Sequence, residues 1–191
     1  MPITNARFVW SIGDDIVLIP RTVAIATAYH ELFVANHARL AVWSPTRMDP
    51  SPEATLAGLE SSGRDWLAGS RLPLAIGIAA DDGYRLVGAM NLAIDGAAGN
   101  AEVGFWIDAA AEGRGVVRRA LGAVLDHAFD ELGLYRVEMR TLTTNDRSRR
   151  LAERLGFALE GVLRGGIRFP DGYRDVAVYA LLAGDGARPE A

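Results

Sequence analysis

A chain of 191 residues, half of them apolar and 23% charged, has the size and composition to bury one substantial core. Its formal net charge of -4 argues against a protein whose main work is covering nucleic acid or an anionic membrane surface. Cysteine is absent, which excludes disulfides, thiolate metal sites and a cysteine nucleophile, and three scattered histidines, His30, His37 and His127, speak against a zinc site, so no metal is expected.

The N-terminal segment "MPITNARFVWSIGDD" has no basic stretch followed by an apolar run, and a soluble cytoplasmic protein is the expectation. "DDIVLIPRT" reads as a short strand ending at Pro20, and "VAIATAYHELFVANHARLAVW" carries the apolar spacing of a helix. "SPTRMDPSPE" is a Pro-rich connection in which Ser51 and Pro52 have the character of the cap and first residue of a second helix, running to about Ala68. "RLPLAIGIAADDGYRLVGAMNLAID" is a hairpin turning at Asp81-Asp82-Gly83, and "AEVGFWID" supplies a third antiparallel strand after "GAAGN".

Past Gly115, Val117, Leu121, Val124, Leu125, Ala128, Phe129 and Leu132 recur at the steps of a helix packed on a sheet, and Gly133 ends it. "YRVEMRTL" alternates as a strand, and "NDRSRRLAERLGF" is a short helix with Asn145 as N-cap and Gly156 at its end. A last hairpin crosses Pro170-Asp171-Gly172, before a frayed tail. The order predicts an α+β fold of about seven strands and four helices, not a doubly wound dinucleotide fold, with one domain over 1–184 and a disordered tail over 185–191.

The Gly113-Arg114-Gly115 turn that opens the third helix leaves backbone N–H groups without internal partners and aligned peptide dipoles behind them, which suits an anion. All twenty basic side chains are Arg, so a lysine-dependent phosphate loop is excluded. Taken alone, the turn is equally a simple reversal followed by a solvated, Arg-bearing helix face.

Its surroundings carry more. "EGRGVV", "TTNDRSRRLAERLGFALEGVLR", "DGYRDVAVYALL" and the first helix "YHELFVANHARLAVW" together resemble the GNAT superfamily of acyl-CoA-dependent N-acyltransferases, and within it the RimJ/RimL-type branch of ribosomal-protein N-terminal acetyltransferases. The matching positions include Asn145, Ser148, Leu155, Gly156, Phe157, Glu160, Gly161, Arg164, Tyr173 and Asp175, over nearly the whole chain. The resemblance implies a GNAT fold, a central, mostly antiparallel mixed sheet, acetyl-CoA as co-substrate, and a possible homodimer.

It implies a pyrophosphate grip on the turn of Glu112, Gly113, Arg114, Gly115, Val116 and Val117, with Arg118 adjacent. Two residues depart from the pattern: Glu112 stands where Gln or Arg is usual, and Val117 where Gly or Ala is usual. The strand segment Phe105-Trp106-Ile107 matches the cofactor-binding strand, Ile107 or its neighbour supplying an N–H to the thioester carbonyl. Asn145 corresponds to a pantetheine ligand and Ser148 to a proton donor for the thiolate, although an Asn at a helix start is also an ordinary cap.

Period-two alternation sets Glu102, Gly104 and Trp106 on one face of their strand and Val103, Phe105 and Ile107 on the other. Glu102, with apolar flanks, has the setting of a general base, the role of a matching Glu in other GNAT enzymes; a structural ion pair is the competing reading. Gly104 is compatible with a bulge that opens a slot for pantetheine. Arg147 would reach the 3'-phosphate or simply lie in solvent. Trp43, Arg164 and Tyr173 are candidate acceptor-lining residues, Trp43 being as compatible with the core. The acceptor is expected to be a protein or peptide α-amine, with a small amine (antibiotic, polyamine, amino-acid derivative) or a non-catalytic CoA-binding module as alternatives.

Overall fold

The computed structural model describes residues 8–44, 48–81 and 83–185. In chain order the elements are strands β1 (Trp10–Ile12) and β2 (Ile16–Pro20), helices α1 (Ala26–Leu40) and α2 (Pro52–Leu67), strands β3 (Arg71–Ala80), β4 (Gly83–Asp95) and β5 (Asn100–Ile107), helix α3 (Val116–Asp126), strand β6 (Arg136–Leu142), helix α4 (Asp146–Arg154), and strands β7 (Ala158–Phe169) and β8 (Gly172–Leu182). The additional strand relative to the sequence reading is β1. Three residues are too few to show a periodicity, and β1 exists because it pairs with β2 from Trp10↔Leu18 to Ile12↔Ile16.

All eight strands form one sheet in the order β1-β2-β3-β4-β5-β6-β8-β7. Every pairing is antiparallel except β5 with β6, which is parallel and spans only Asn100↔Arg136, Ala101↔Val137 and Glu102↔Glu138. Beyond that third rung β5 continues against β4 alone, and β6 against β8 alone. The sheet is therefore split at its centre.

The two faces are covered differently. Tyr29 and Leu32 of α1 and Leu59 of α2 pack with Val17, Ile19, Leu86 and Ala89 on one face. On the other, α3 delivers Val116, Ala120, Leu121, Val124 and Leu125, each no more than 4% exposed, and α4 delivers Ala152. Full burial of each of these large apolar side chains stabilises by about 1.5–3 kcal/mol. The expected alternation on β5 holds: Val103, Phe105 and Ile107 join the α3 face, while Trp106 sits on the α1 face with its ring 6.4 Å from that of Tyr29.

The helix caps are as read from sequence. Ser51 accepts from Ala54 N with Pro52 in the first turn, and Asn145 accepts from Ser148 N. Helix α3 runs on through a π-helical turn, His127–Glu131, before Gly133 at φ +63° reverses the chain. Most of the sequence-expected tail and Asp82 of the first hairpin fall outside the described residues. Among the described residues no helix is long and apolar enough to cross a membrane.

Candidate active site

The split between β5 and β6 is a cleft of about 400 Å³. Its walls are Glu102 to Phe105 of β5, Met139 to Leu142 of β6, and Asn145 and Ser148 at the start of α4; Trp43, Leu163 and Ile167 close it on the outer side. Sequence reading placed Glu102, Phe105, Asn145, Ser148 and Trp43 at one site, and the fold brings these five together.

Gly104 lines this cleft without a side chain, and a Cβ built there would meet nothing within 4 Å. The expected bulge at Gly104 is absent, because the β4–β5 register runs unbroken from Gly88↔Ile107 to Asp95↔Asn100. The opening comes instead from β6 diverging after Glu138, a property of the partner strand that local sequence does not carry.

The ladder also fixes where the β5 backbone points. Asp108 N–H donates to the Val87 carbonyl at 2.6 Å. Bonded and non-bonded pairs alternate in an antiparallel ladder, so Gly88↔Ile107 and Met90↔Phe105 are non-bonded pairs. The N–H and C=O groups of Phe105 and Ile107 therefore face away from β4, into the gap that β6 has left. A polar, extended ligand lying in the gap would meet a strand edge with donors and acceptors at regular spacing.

At the far end of β5 the chain enters the glycine turn. Gly113 and Gly115 have φ of +75° and +72°, in the left-handed region that side chains disfavour, and a Cβ on either would face open space. Gly115 caps α3 without a side chain, and the first helical bond is Arg119 N–H to Gly115 O. The N–H groups of Val116, Val117 and Arg118 thus lack helical acceptors at the positive end of the helix dipole. Arg114 and Arg118 are exposed beside them.

The two departures from the family pattern are accommodated. Val117 packs against the α3 core cluster, so its branched side chain turns toward the sheet and not over the turn. Glu112 is drawn aside by two guanidinium groups: Arg39 Nη1 of α1 donates to its Oε1 at 2.7 Å, and Arg147 Nη1 of α4 donates to its Oε2. Arg39 also donates to Asn36 Oδ1 at 3.0 Å and to the Ile107 carbonyl. Arg119 is committed elsewhere, donating to both carboxylate oxygens of Asp15 at 2.6 and 2.9 Å. These hydrogen bonds hold the Asp15 carboxyl below its ordinary value.

Glu102 does not have the apolar enclosure that its flanks suggest. Its side chain is 53% exposed and 3.8 Å from Arg140 Nε, which also donates to Glu138 Oε1 at 2.5 Å. The cause is the parallel rung: Glu138 lies beside Glu102 in register, and Arg140 bridges the two carboxylates. Ser148 presents its hydroxyl to the same cleft, fixed by the cap of Asn145 on its N–H at 3.2 Å.

Arg164 and Tyr173 lie outside the cleft lining, on the exposed β7–β8 hairpin. Arg164 falls in the stretch between Leu163 and Ile167 where the register against β8 shifts, and it is Leu163 and Ile167 that face the cleft. Trp106 belongs to the opposite face, against Tyr29. Sequence reading missed Arg39 and Arg140. Arg140 was within reach, alternating with Glu138 on one strand face; Arg39 was not, since it meets Glu112 across 73 positions. Among the described residues no group of three His, Asp or Glu side chains is placed to hold a metal.

A sheet split over a glycine turn, with strand-edge donors in the gap and a bare helix N-terminus at its mouth, defines a class of protein able to hold an elongated, phosphorylated ligand. Residues 16–158 match the acetyltransferase (GNAT) domain, and the chain belongs to that family. It is 37% identical over 109 residues to the probable N-acetyltransferase YjcK of Bacillus subtilis, covering 56% of this chain and 59% of that protein. It is 35% identical over 82 residues to the ribosomal-protein-serine acetyltransferase of Escherichia coli, covering 43% of this chain and 46% of that protein. The chain thus spans about half the length of the curated relatives it matches. The structure of Mycobacterium smegmatis RimJ in complex with CoA-disulfide superimposes with a TM-score of 0.79 at 25% identity, covering 88% of this chain and 82% of that one.

Proposed function

We propose that the protein is an acetyl-CoA-dependent N-acetyltransferase whose acceptor is a protein or peptide N-terminal α-amine. The observation that carries this reading is the gap between β5 and β6, where the Phe105 backbone and the Ile107 N–H turn away from β4, Ser148 lines the same cleft and Glu102 stands at the rim. Acetyl-CoA fits the residues present: Gly104 adds no side chain to the cleft wall, the N–H groups after Gly115 suit a pyrophosphate, Val117 packs toward the sheet, and the Glu112 carboxylate is paired with Arg39 and Arg147. It supplies an acyl group activated as a thioester.

This chain's own residues then have separate tasks. Glu102 takes the proton that the acceptor ammonium must lose before its nitrogen can bond to the acyl carbon. Backbone N–H of Ile107 or Phe105 stabilises the negative charge that develops on the carbonyl oxygen. Ser148 gives a proton to the sulfur as the carbon–sulfur bond breaks. Arg140 holds Glu102 at the rim and keeps two neighbouring carboxylates together. Trp43 and the β7 residues Leu163 and Ile167 line the acceptor side.

The peptide acceptor is supported by the similarity to a ribosomal-protein-serine acetyltransferase, and a cytoplasmic location goes with it. A homodimer belongs to the same reading. Edge strand β7 leaves Leu159, Val162 and Leu163 nearly half exposed, a surface that a second copy would cover and that sedimentation would detect.

Acetyl-CoA at one hundred times its dissociation constant is expected to stabilise the protein by about 2.7 kcal/mol in thermal unfolding. Intact-mass detection of acetyl transfer across N-terminal peptides and small amines then identifies the acceptor. Glu102→Gln should lose about a hundredfold or more in rate, the size of a general base's contribution, with cofactor affinity unchanged. Absence of any stabilisation would defeat the reading; binding without transfer to any amine would leave a CoA-binding module.

A further inference from the structure

Glu112 is the last residue before the glycine turn, and its carboxylate is shared by two cations from opposite faces of the sheet. The two ends are held unequally. Arg39 is one-third exposed and is fixed by Glu112, by the Ile107 carbonyl, and by Asn36, which is itself 3% exposed and bonded to the Leu32 carbonyl at 3.0 Å. Arg147, the second residue of α4, is 72% exposed. Glu112, at 21% exposure, is thus anchored on the Arg39 side and holds on its other side a long, solvated guanidinium.

We propose that Glu112 is an internal counter-anion for Arg147 which a phosphate of the bound cofactor displaces, so that this carboxylate limits cofactor affinity. The inference rests on the acetyl-CoA reading above. The N–H donors of Val116, Val117 and Arg118 begin four residues along the chain from Glu112, so a phosphate on them and the Glu112 carboxylate compete for one cationic neighbourhood. Arg147 can exchange partners because only its far end is restrained, and a guanidinium fork suits two phosphate oxygens as well as a carboxylate. Arg39 cannot follow, because its other bonds tie it to α1 and to the end of β5. It stays on Glu112 and neutralises a charge that would otherwise repel the phosphate.

The exchange gives Glu112 two effects of opposite sign. It braces α1 to α4 through the turn, and it raises the cost of seating a phosphate. A residue that served only as a brace would, when removed, loosen the turn and weaken binding.

The test is calorimetric titration of the full chain with CoA and with 3'-dephospho-CoA, beside thermal unfolding in the absence of either. Glu112→Gln is expected to lower the unfolding temperature and yet bind CoA roughly fivefold more tightly, the size of effect of a partly exposed ion pair. The tightening should vanish in an Arg147→Gln background, where the carboxylate has no partner to release. Tightening toward both ligands assigns the pyrophosphate as the competing group; tightening toward CoA alone assigns the 3'-phosphate. Should the amide variant prove too unstable to titrate, Glu112→Asp, one methylene too short to hold both guanidinium groups, should show the same sign. Unchanged or weaker CoA binding in these variants, or tightening that survives Arg147→Gln, overturns the exchange and leaves the acetyltransferase reading standing. Failure of the parent protein to bind either ligand overturns both.

Discussion

Gly104 lies in a strand whose backbone any residue could adopt, with open space where its Cβ would be. Glycine is a poor strand former, no packing neighbour requires it here, and the position lines the cleft. Gly104→Val should therefore leave unfolding stability within about 0.5 kcal/mol of the parent, or raise it, while abolishing the stabilisation by acetyl-CoA. Urea denaturation with and without the ligand checks both halves, and retained ligand stabilisation would mean that the cleft is not where the cofactor lies. The residues on β5 and at the start of α4 were legible in the sequence because their spacing is local. Arg39 was not, since it acquires its meaning from a turn 73 positions away, and Arg140 was legible only as the strand-face neighbour of Glu138, its reach to Glu102 coming from the parallel rung.

Helix α4 is the element that places Ser148, and its start depends on one side chain. Asn145 accepts from Ser148 N, and that bond is the local link between cap and candidate proton donor. Asn145→Ala should cost about 1 kcal/mol of stability by chemical denaturation, the usual loss of an N-cap, and should lower kcat as well by freeing the first turn. Asn145→Asp keeps the cap oxygen and should restore the stability. The helix caps and the last hairpin turn were legible in the sequence because each is a short-range device: Ser51 before Pro52, Asn145 before a charged amphipathic run, Asp171-Gly172 at the reversal into β8. What escaped was settled at longer range. Strand β1 is defined by its pairing with β2, and the π turn after α3 buries Ala128 and Phe129 in the core. The split at β5 is defined by where β6 departs.

Across the whole molecule, acid stability depends on carboxylates held by arginine at the centre and edge of the sheet. Burial raises the Glu138 carboxyl, but hydrogen bonds from Arg136 and Arg140 outweigh it and keep the group below its ordinary value of 4.5. A hydrogen bond from Arg136 lowers Glu160 in the same way, spanning β6 to β7 over β8. Both folded-state values lie below the unfolded ones, so the unfolded chain binds more protons in this window. The stability these groups contribute is complete above the ordinary carboxylate value and is lost as pH falls through the lowered values. The urea midpoint should be level near neutrality and fall as pH drops below the ordinary carboxylate value of about 4.5; a midpoint that rose on acidification would contradict the assignment.

Among the described residues, three parallel rungs are the only ladder pairing between the five strands on one side of the split and the three on the other. The sheet is in effect two ladders sharing a short seam, with one core under α3 packed across both. A ligand that bonded the bare edge of β5 would act as a ninth strand, and the protein would be more nearly a continuous sheet with it than without.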